Sequence, residues 1–323
     1  MSYTVLSRKW RPKTFEHVVG QDHITKILKN SISQNKVSHA YLFSGPRGVG
    51  KTTIARILSC VLNKVEKVED SIDIIELDGA SNRGIDEIRE IKESVRYAPS
   101  QGSYKIFIID ESHMLTKEAF NALLKTLEEP PPNVIFILAT TEYNKLPLTI
   151  ISRCQRYSFK RISINSITEY LKIILSKESL DCEDNALVSI AYKADGSMRD
   201  ALSLLDKVIT LSDDNVISES IVKNALGIID EEEYLKIIKS IVSKNFETVF
   251  NSIEELLADG VSILNFMDGF NDYLKNITYY LSNYRKNISI SEKTVSFIKE
   301  SQFSIQIASK LLDVNLEYLI KNN

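Results

Sequence analysis

A glycine-rich octapeptide is the part of this sequence whose residue types and spacing point most directly to chemistry. It matches the pattern G-x-x-x-x-G-K-[ST] of phosphate-binding loops. Its glycines would let backbone N–H groups point inward around a phosphate, next to the positive end of the following helix. Lys51 would hold the β- and γ-phosphates of a nucleoside triphosphate, and the Thr52 hydroxyl would ligate Mg²⁺. The predicted nucleotide-binding segment comprises Gly45, Pro46, Arg47, Gly48, Val49, Gly50, Lys51, Thr52 and Thr53.

Two acidic residues and a hydroxyl predict the hydrolytic part of the same site. Asp110 and Glu111 follow the apolar run 104–109, and Asp110 lies 58 residues after Thr52. Asp110 would be a second Mg²⁺ ligand, and Glu111 would orient an attacking water as general base. A helix-capping role for this acidic pair is the alternative. A further apolar run ends in two hydroxyls, of which we favour Thr141 over Thr140 as the partner of the γ-phosphate or the attacking water.

The elements that must position these groups alternate along the first half of the chain. Buried or alternating apolar runs predict five strands, at 39–44, 72–77, 104–109, 134–141 and 155–159. Helical spacing between them predicts helices ending near residues 34, 63, 95 and 129. This order is typical of a P-loop α/β domain with a five-stranded parallel sheet. All seven prolines lie between Pro12 and Pro147, so the remainder of the chain is predicted to be all helical.

Helix boundaries and basic residues leave some alternatives open. Gln21 or Asp22 could cap the first helix, and Ser81 or Asn82 could cap the helix that begins at Ile85. Four basic side chains on or near that last helix could face DNA or a partner, or form an ordinary solvated face: Arg83, Arg89, Lys92 and Arg96. A polar segment at 283–289 predicts a loop between helices of the last region.

Composition excludes several classes of protein. No apolar run approaches the roughly 18 residues of a membrane span, and the first residues have no signal-peptide core. Three cysteines are too few for a disulfide framework or a four-cysteine zinc site, so we expect a cytoplasmic protein. The formal charge is +1 over residues 1–227 and −4 over residues 228–323. Contacts to nucleic acid would therefore come from local patches and helix N-termini rather than from bulk charge.

Several segments of the chain resemble one family, the γ/τ subunits of the bacterial DNA polymerase III clamp loader, which are AAA+ ATPases. The resemblance rests on residue identities as well as on their spacing, and it is strongest over residues 1–230. The segments that carry it are 8–12 with Phe15 and 18–21, then 80–84, 95–99, 119–131 and 136–141. It implies an α/β ATPase domain at 1–162, an all-helical lid at 163–227 and an all-helical oligomerisation collar at 228–323.

The resemblance assigns roles that the residues alone did not give. Arg153, in Ser-Arg-Cys, resembles an arginine finger that completes the ATP site of a neighbouring subunit in trans, although it could form only a surface ion pair. Arg199 resembles the sensor 2 arginine that reaches the γ-phosphate from the lid, although it could instead serve only as a cap at the end of a helix. Nucleotide-binding residues are also expected before the loop, at Trp10, Arg11, Val18 and Val19. Trp10, Pro12 and Phe15 could form either a wall for the adenine base or a packing clip.

Two departures from the family pattern stand out. Family members usually carry a four-cysteine zinc module after the P-loop helix, whereas only residues 64–71 separate Asn63 from the next strand here, without a cysteine. Tetrahedral zinc needs four N or S ligands, so zinc is not expected. Ser112 stands where an apolar residue is usual, but both preceding carboxylates are kept. The sequence also ends before any τ-type extension. We therefore expect either a short γ-like form or a truncated chain.

The resulting hypothesis is an ATP- and Mg²⁺-dependent motor subunit that opens the sliding clamp and loads it on primed DNA. The implied partners are the δ and δ′ subunits, other γ/τ copies, the β clamp and primed DNA, with single-stranded-DNA-binding protein reached through other subunits. The chain would work at the nucleoid, with no polymerase chemistry of its own and no membrane contact. One rival is a nonenzymatic δ′-like structural subunit. Another is a different AAA+ machine, either a branch-migration motor or a replication factor C small subunit.

Overall fold

A computed structural model describes residues 4–81, 85–212, 216–258, 260–284, 290–301 and 303–322 of the chain. The chain divides into two compact units, Met1–Ile217 and Ser218–Asn323. Across the described ranges, every helix is too short or too polar to cross a membrane. The three-domain division at residues 162 and 227 stays a prediction.

A five-stranded parallel sheet forms the centre of the first unit, as the sequence predicts. Its strands are β1 (Ala40–Ser44), β2 (Ile74–Asp78), β3 (Lys105–Asp110), β4 (Val134–Thr140) and β5 (Gln155–Ser158). They are ordered β2-β3-β4-β1-β5, so the first strand in sequence lies between the last two. Because all neighbours are parallel, the carboxyl ends of β1, β3 and β4 share one edge of the sheet. That edge is where open α/β sheets bind ligands.

Apolar residues cover both faces of the sheet, since side chains alternate in direction along each strand. One face of β1 contributes Tyr41 and Phe43 to a core with the P-loop helix, while Leu42 belongs to the opposite core. β3 divides in the same way, with Ile108 on the first face and Phe107 stacked on Phe136 on the second. Burial on both faces explains why these strands are continuous apolar runs rather than alternating ones.

Helices surround the sheet and continue beyond it in the first unit. They are α1 (Leu6–Lys9), α2 (Asp22–Ser33), α3 (Lys51–Asn63), α4 (Ile85–Ser94), α5 (Lys117–Glu128), α6 (Leu148–Ile151), α7 (Ile164–Glu178), α8 (Asp184–Lys193) and α9 (Met198–Leu211). Thr116 caps α5 by accepting the N–H of Ala119. The region after residue 163 is not purely helical, because two short strands, β6 (Asp181–Cys182) and β7 (Val216–Ile217), pair in parallel.

Two boundary predictions need correction. The second strand begins at Ile74 rather than Ile72, because the Asp73 carboxylate accepts backbone N–H groups at the end of the following loop and Ile72 is exposed. Gln21 does occupy the N-cap position of α2, but its side chain makes no capping bond and is buried elsewhere. Asn82, Arg83 and the side chain of Arg89 lie outside the described residues.

The described residues of the second unit form six helices: α10 (Glu219–Leu226), α11 (Glu231–Val242), α12 (Phe246–Ala258), α13 (Ile263–Leu281), α14 (Glu292–Glu300) and α15 (Ile305–Asn322). Its core is rich in aromatic residues, with Tyr234 in contact with Phe266, Phe270 and Tyr273. The Glu231 carboxylate accepts bonds from the N–H and hydroxyl of Ser291, which fixes the start of α14. Of the predicted loop at 283–289, residues 285–289 lie outside the described residues.

Candidate nucleotide-hydrolysis site

The glycine-rich loop connects β1 to α3 at the carboxyl edge of the sheet. Its backbone has positive φ at Gly45, Gly48 and Gly50. A Cβ at Gly48 would lie 1.9 Å from the Ser197 hydroxyl, and one at Gly45 would lie 2.6 Å from the Phe159 carbonyl. Both positions therefore need glycine for close approach as well as for backbone conformation. A loop curved this tightly before a helix N-terminus is suited to an anion.

Lys51 lies inside the curve of the loop. Its ammonium donates to the carbonyl oxygens of Gly45 at 2.8 Å and Pro46 at 2.7 Å. Burial lowers the pKa of Lys51, and the nearby carboxylates of Glu111 and Asp110 oppose that shift. A buried ammonium beside acidic residues is positioned to bind the outer phosphates of a nucleotide. The structure thus places Lys51, Gly45 and Pro46 together, as the sequence predicts.

Thr52 and Asp110 meet across the gap between α3 and β3. The Thr52 hydroxyl donates to Oδ2 of Asp110 at 2.7 Å, and Oδ1 accepts the N–H of Glu111 at 2.9 Å. A hydroxyl and a carboxylate in contact supply the hard oxygen ligands that Mg²⁺ prefers. These two residues fit a bound Mg²⁺, which usually keeps several waters besides its one or two protein ligands.

Glu111 has a strained backbone, with φ of 44°, immediately after β3. Positive φ in a residue other than glycine costs free energy and occurs at functional sites as well as in turns and at helix ends. The Thr141 hydroxyl, just beyond β4, donates to Oε2 of Glu111 at 3.1 Å. The Thr140 hydroxyl oxygen instead accepts the N–H of Glu142 and lies 3.1 Å from Nδ1 of His113. The structure therefore brings Thr141, and not Thr140, into direct contact with the candidate base.

A cleft continues from the loop toward the N-terminal segment and helices α7 and α9. Of the predicted site residues, its lining contains Trp10, Arg11, Val18, Val19, Arg47, Gly48, Val49, Gly50, Lys51, Thr52, Thr53, Asp110, Glu111 and Arg199. Pro12 also lines this cleft, whereas Phe15 is buried in the core beside the sheet. The suggestion that Phe15 forms part of an adenine wall is therefore wrong, and its role is packing.

Trp10 is held firmly at the edge of the cleft. Its indole N–H donates to Oε1 of Glu178 at 2.8 Å, and its carbonyl accepts the Tyr170 hydroxyl at 3.1 Å. Lys177 lies over its ring at 5.2 Å from the centroid. Trp10 thus packs against α7 and also lines the cleft, and its contact with an adenine base stays a prediction. A flat ring at this position fits the base of a nucleotide.

Positive charge is concentrated on the phosphate side of the cleft. Arg199 lies in the first turn of α9, and its N–H donates to the Gly48 carbonyl at 3.4 Å. Burial lowers the pKa of Arg11, and the like charges of Arg56 and Arg199 lower it further. Arg56 is partly neutralised by a bidentate bond to Glu76, with both N–O distances 2.7 Å. A polyphosphate would relieve the mutual repulsion of these cations.

Arg153 is not part of the cleft of its own chain. Its guanidinium forms an ion pair with Glu128 and donates to the Thr149 carbonyl at 2.6 Å. Within the single chain, then, the surface ion pair considered for Arg153 is present. A role in the site of a neighbouring copy stays a prediction.

The residues described by the structure contain no cluster of three or more His, Cys, Asp or Glu placed to bind a metal. Cys60 is buried on α3, and burial raises the pKa of its thiol to about 11. After α3, Lys64 adopts a left-handed conformation, and Val65 and Val68 pack on the sheet core.

Gln21 is a site-supporting residue that sequence reasoning missed. It is fully buried, and its amide donates to the carbonyl oxygens of Val49 at 3.4 Å and Lys160 at 2.7 Å. It thereby connects the glycine-rich loop to the end of the sheet. A glutamine after Gly20 carries no signal of this role, because both of its partners are distant in sequence. Four further residues that line the cleft were also missed, namely Ile162, Tyr170, Met198 and Leu202.

Three family models match successive parts of the chain. Residues 20–163 match "DNA polymerase III, delta subunit", and residues 166–214 match "DNA polymerase III clamp loader subunit, ATPase lid domain". Residues 217–312 match "DNA polymerase III subunits gamma and tau domain III". Among solved structures, the Holliday junction branch migration motor RuvB of Thermotoga maritima has a TM-score of 0.57 at 21% identity. That match covers 90% of this chain and 98% of the other, and it shows the AAA+ fold alone.

Curated relatives extend the agreement to most of the chain. DNA polymerase III subunit tau of Bacillus subtilis is 46% identical over 87% of this chain and 52% of its own length. The tau subunit of Escherichia coli is 44% identical over 81% and 43%. The chain thus spans about half the length of these two relatives. The gamma subunit of Buchnera aphidicola subsp. Schizaphis graminum is 38% identical over 97% of this chain and 92% of its own length. The chain therefore belongs to the gamma/tau subunit family of DNA polymerase III.

Proposed function

We propose that the chain is an ATPase subunit of the bacterial clamp loader, using ATP to open the sliding clamp and load it on primed DNA. The observation that carries this proposal is the arrangement at the carboxyl edge of the sheet. There Lys51, the Thr52–Asp110 pair and Glu111 lie together, with Arg199 of α9 across the same cleft. Family membership supports the assignment to the loader.

Each group would have a separate task. Lys51, Arg199 and the loop N–H groups bind and orient the phosphates, and Trp10, Val18 and Val19 enclose the base. Thr52 and Asp110 would hold Mg²⁺, which when bound would neutralise developing negative charge on the phosphates. Glu111 accepts the proton of the attacking water, with Thr141 fixing its orientation.

Arg153 would act on the site of the next copy in the ring. Arginine fingers in well-studied NTPases are worth about 10³–10⁵ in rate, so hydrolysis would depend on assembly. The δ and δ′ subunits, further copies of this chain, the β clamp and primed DNA are the partners we propose, at the nucleoid. DNA contacts would be to phosphates and therefore independent of base sequence.

Two rival functions make different predictions. A δ′-like structural subunit would not need the buried Lys51 or the Thr52–Asp110 contact, and both are present. A branch-migration motor shares the fold, as the likeness to RuvB shows, and would respond to a Holliday junction rather than to the clamp.

The test is ATP hydrolysis by the chain assembled with its cognate δ and δ′ subunits, with a Lys51→Ala complex as control. We expect hydrolysis to rise strongly only when clamp and primed DNA are both added, and to disappear in the control. Hydrolysis driven by Holliday junctions and indifferent to the clamp would favour the motor. A stable complex without hydrolysis would favour the structural subunit.

A further inference from the structure

His113 lies beside the candidate base, in the short 3-10 helix Ser112–Met114 that follows Glu111. Its side chain is only 6% exposed. Nδ1 is 3.1 Å from the hydroxyl oxygen of Thr140 and 3.6 Å from Oε2 of Glu111. Nε2 is 3.2 Å from Oε1 of Glu142. One buried imidazole therefore faces groups that follow two different strands, β3 and β4.

The hydrogen bonds around this imidazole can all be satisfied in one proton arrangement. The Thr140 oxygen accepts the N–H of Glu142 at 3.0 Å, which leaves its hydroxyl proton free to donate to Nδ1. A neutral imidazole protonated on Nε2 then donates to the Glu142 carboxylate. Glu142 is held in turn by Lys145, 2.8 Å from its other oxygen. The imidazole thus has a fixed orientation set from both of its nitrogens.

Glu111 is restrained on the side that faces this imidazole. Its Oε2 accepts the Thr141 hydroxyl at 3.1 Å, and the same oxygen is the one 3.6 Å from Nδ1 of His113. Glu111 also lines the cleft that contains Lys51. Thr141 and His113 therefore flank one carboxylate oxygen of Glu111, Oε2.

We propose that His113 is a positioning residue for Glu111, which it keeps aligned by connecting the ends of β3 and β4. This inference rests on the proposed ATPase function and names a residue that sequence reasoning assigned no role. Misplacing a catalytic group by about 1 Å can cost about 100-fold in rate. Losing the imidazole should therefore lower kcat while leaving ATP binding, which depends on the loop, nearly unchanged.

Three substitutions separate positioning from simple packing. His113→Leu fills much of the space and removes both nitrogens. His113→Asn places an amide near the position of Nδ1, toward Thr140 and Glu111, whereas His113→Gln reaches the position of Nε2, toward Glu142. His17→Asn is the matched control, because His17 is exposed and outside the cleft.

Each variant is assembled with the cognate loader subunits and assayed for kcat and KM of ATP hydrolysis, nucleotide affinity and thermal unfolding. We expect the leucine variant to lose about 10- to 100-fold in kcat, with KM and affinity within about twofold of wild type. The asparagine variant should recover most of that rate, and the glutamine variant little of it.

Three outcomes would overturn the inference: equal rates in all variants, rescue by glutamine but not asparagine, or a loss that follows thermal stability or KM instead of kcat. If the leucine variant fails to fold, the comparison of asparagine with glutamine still decides. A wild-type complex without hydrolysis would instead contradict the proposed ATPase function.

Discussion

At the scale of single residues, the candidate site depends on backbone positions that admit no side chain. Gly48 combines φ of 73° with a Cβ position 1.9 Å from the Ser197 hydroxyl. Gly260 has a similar φ of 84°, but a Cβ there would meet no atom within 4 Å. A side chain at Gly260 would therefore have only the cost of the backbone conformation, without the cost of a steric clash. The difference between the effects of an added Cβ at Gly48 and at Gly260 therefore reports how closely the start of α9 approaches the loop.

Gly48→Ala should therefore weaken nucleotide binding by at least about tenfold and also destabilise the first unit. The conformational cost alone is about 1–2 kcal/mol for an L-residue, and displacement of Ser197 adds to it. Gly260→Ala should show only the conformational cost and leave nucleotide affinity unchanged. Titration with a fluorescent ATP analogue and urea unfolding measure both effects. Equal nucleotide affinity in the two variants would contradict the close approach of α9 to the loop.

At the scale of elements, Asp73 connects the start of β2 to the loop before β3. It is buried, and its carboxylate accepts the N–H groups of Ser100, Gln101 and Gly102 at 2.7–2.8 Å. Burial acts to raise the pKa of Asp73, but these three bonds and the nearby Lys105 outweigh it, so the pKa is lowered. The loop is thus fixed by a charged group, and its stability should depend on pH.

Because the pKa of Asp73 is lower in the folded state, its contribution is complete above the unfolded value of 3.8 and is lost as pH falls through the folded value. Asp73→Asn should cost about 1–3 kcal/mol at pH 7, since an amide donor then faces backbone donors. The difference from wild type should shrink below about pH 4. The single tryptophan, Trp10, reports unfolding of the first unit by fluorescence. A cost that does not change with pH would contradict the assigned role.

At the scale of the whole molecule, the sheet and most residues that line the cleft were predictable, whereas the buried polar residues that support the site were not. Continuous apolar runs such as 106–109 are typical of strands buried on both faces of a parallel sheet, so five strands followed from the sequence. The contact between Thr52 and Asp110 followed from the P-loop pattern. Gln21 and His113 were missed because the role of a buried polar residue depends on hydrogen-bond partners that are remote in sequence. The start of β2 was missed because nothing in the sequence near Asp73 indicates its hydrogen bonds to the loop before β3.

In the proposed assembly, Arg153 would act at the nucleotide site of the next copy. Arg153→Ala should leave ATP binding by its own subunit unchanged and lower hydrolysis by the complex by about 10³–10⁵. Glu128→Gln is the matched control, because it weakens only the local ion pair of Arg153. Equal activity of the Arg153→Ala complex and wild type would confine this residue to its surface ion pair.

The most direct test of the central claim separates nucleotide binding from its hydrolysis at Glu111. Glu111→Gln keeps the size of the side chain and can still accept the Thr141 hydroxyl, but it cannot act as a base at neutral pH. The account predicts that the variant complex binds ATP within a few-fold of wild type, while single-turnover hydrolysis falls by about 10²–10⁴. Hydrolysis at the wild-type rate in this variant would contradict the site and mechanism proposed for the chain.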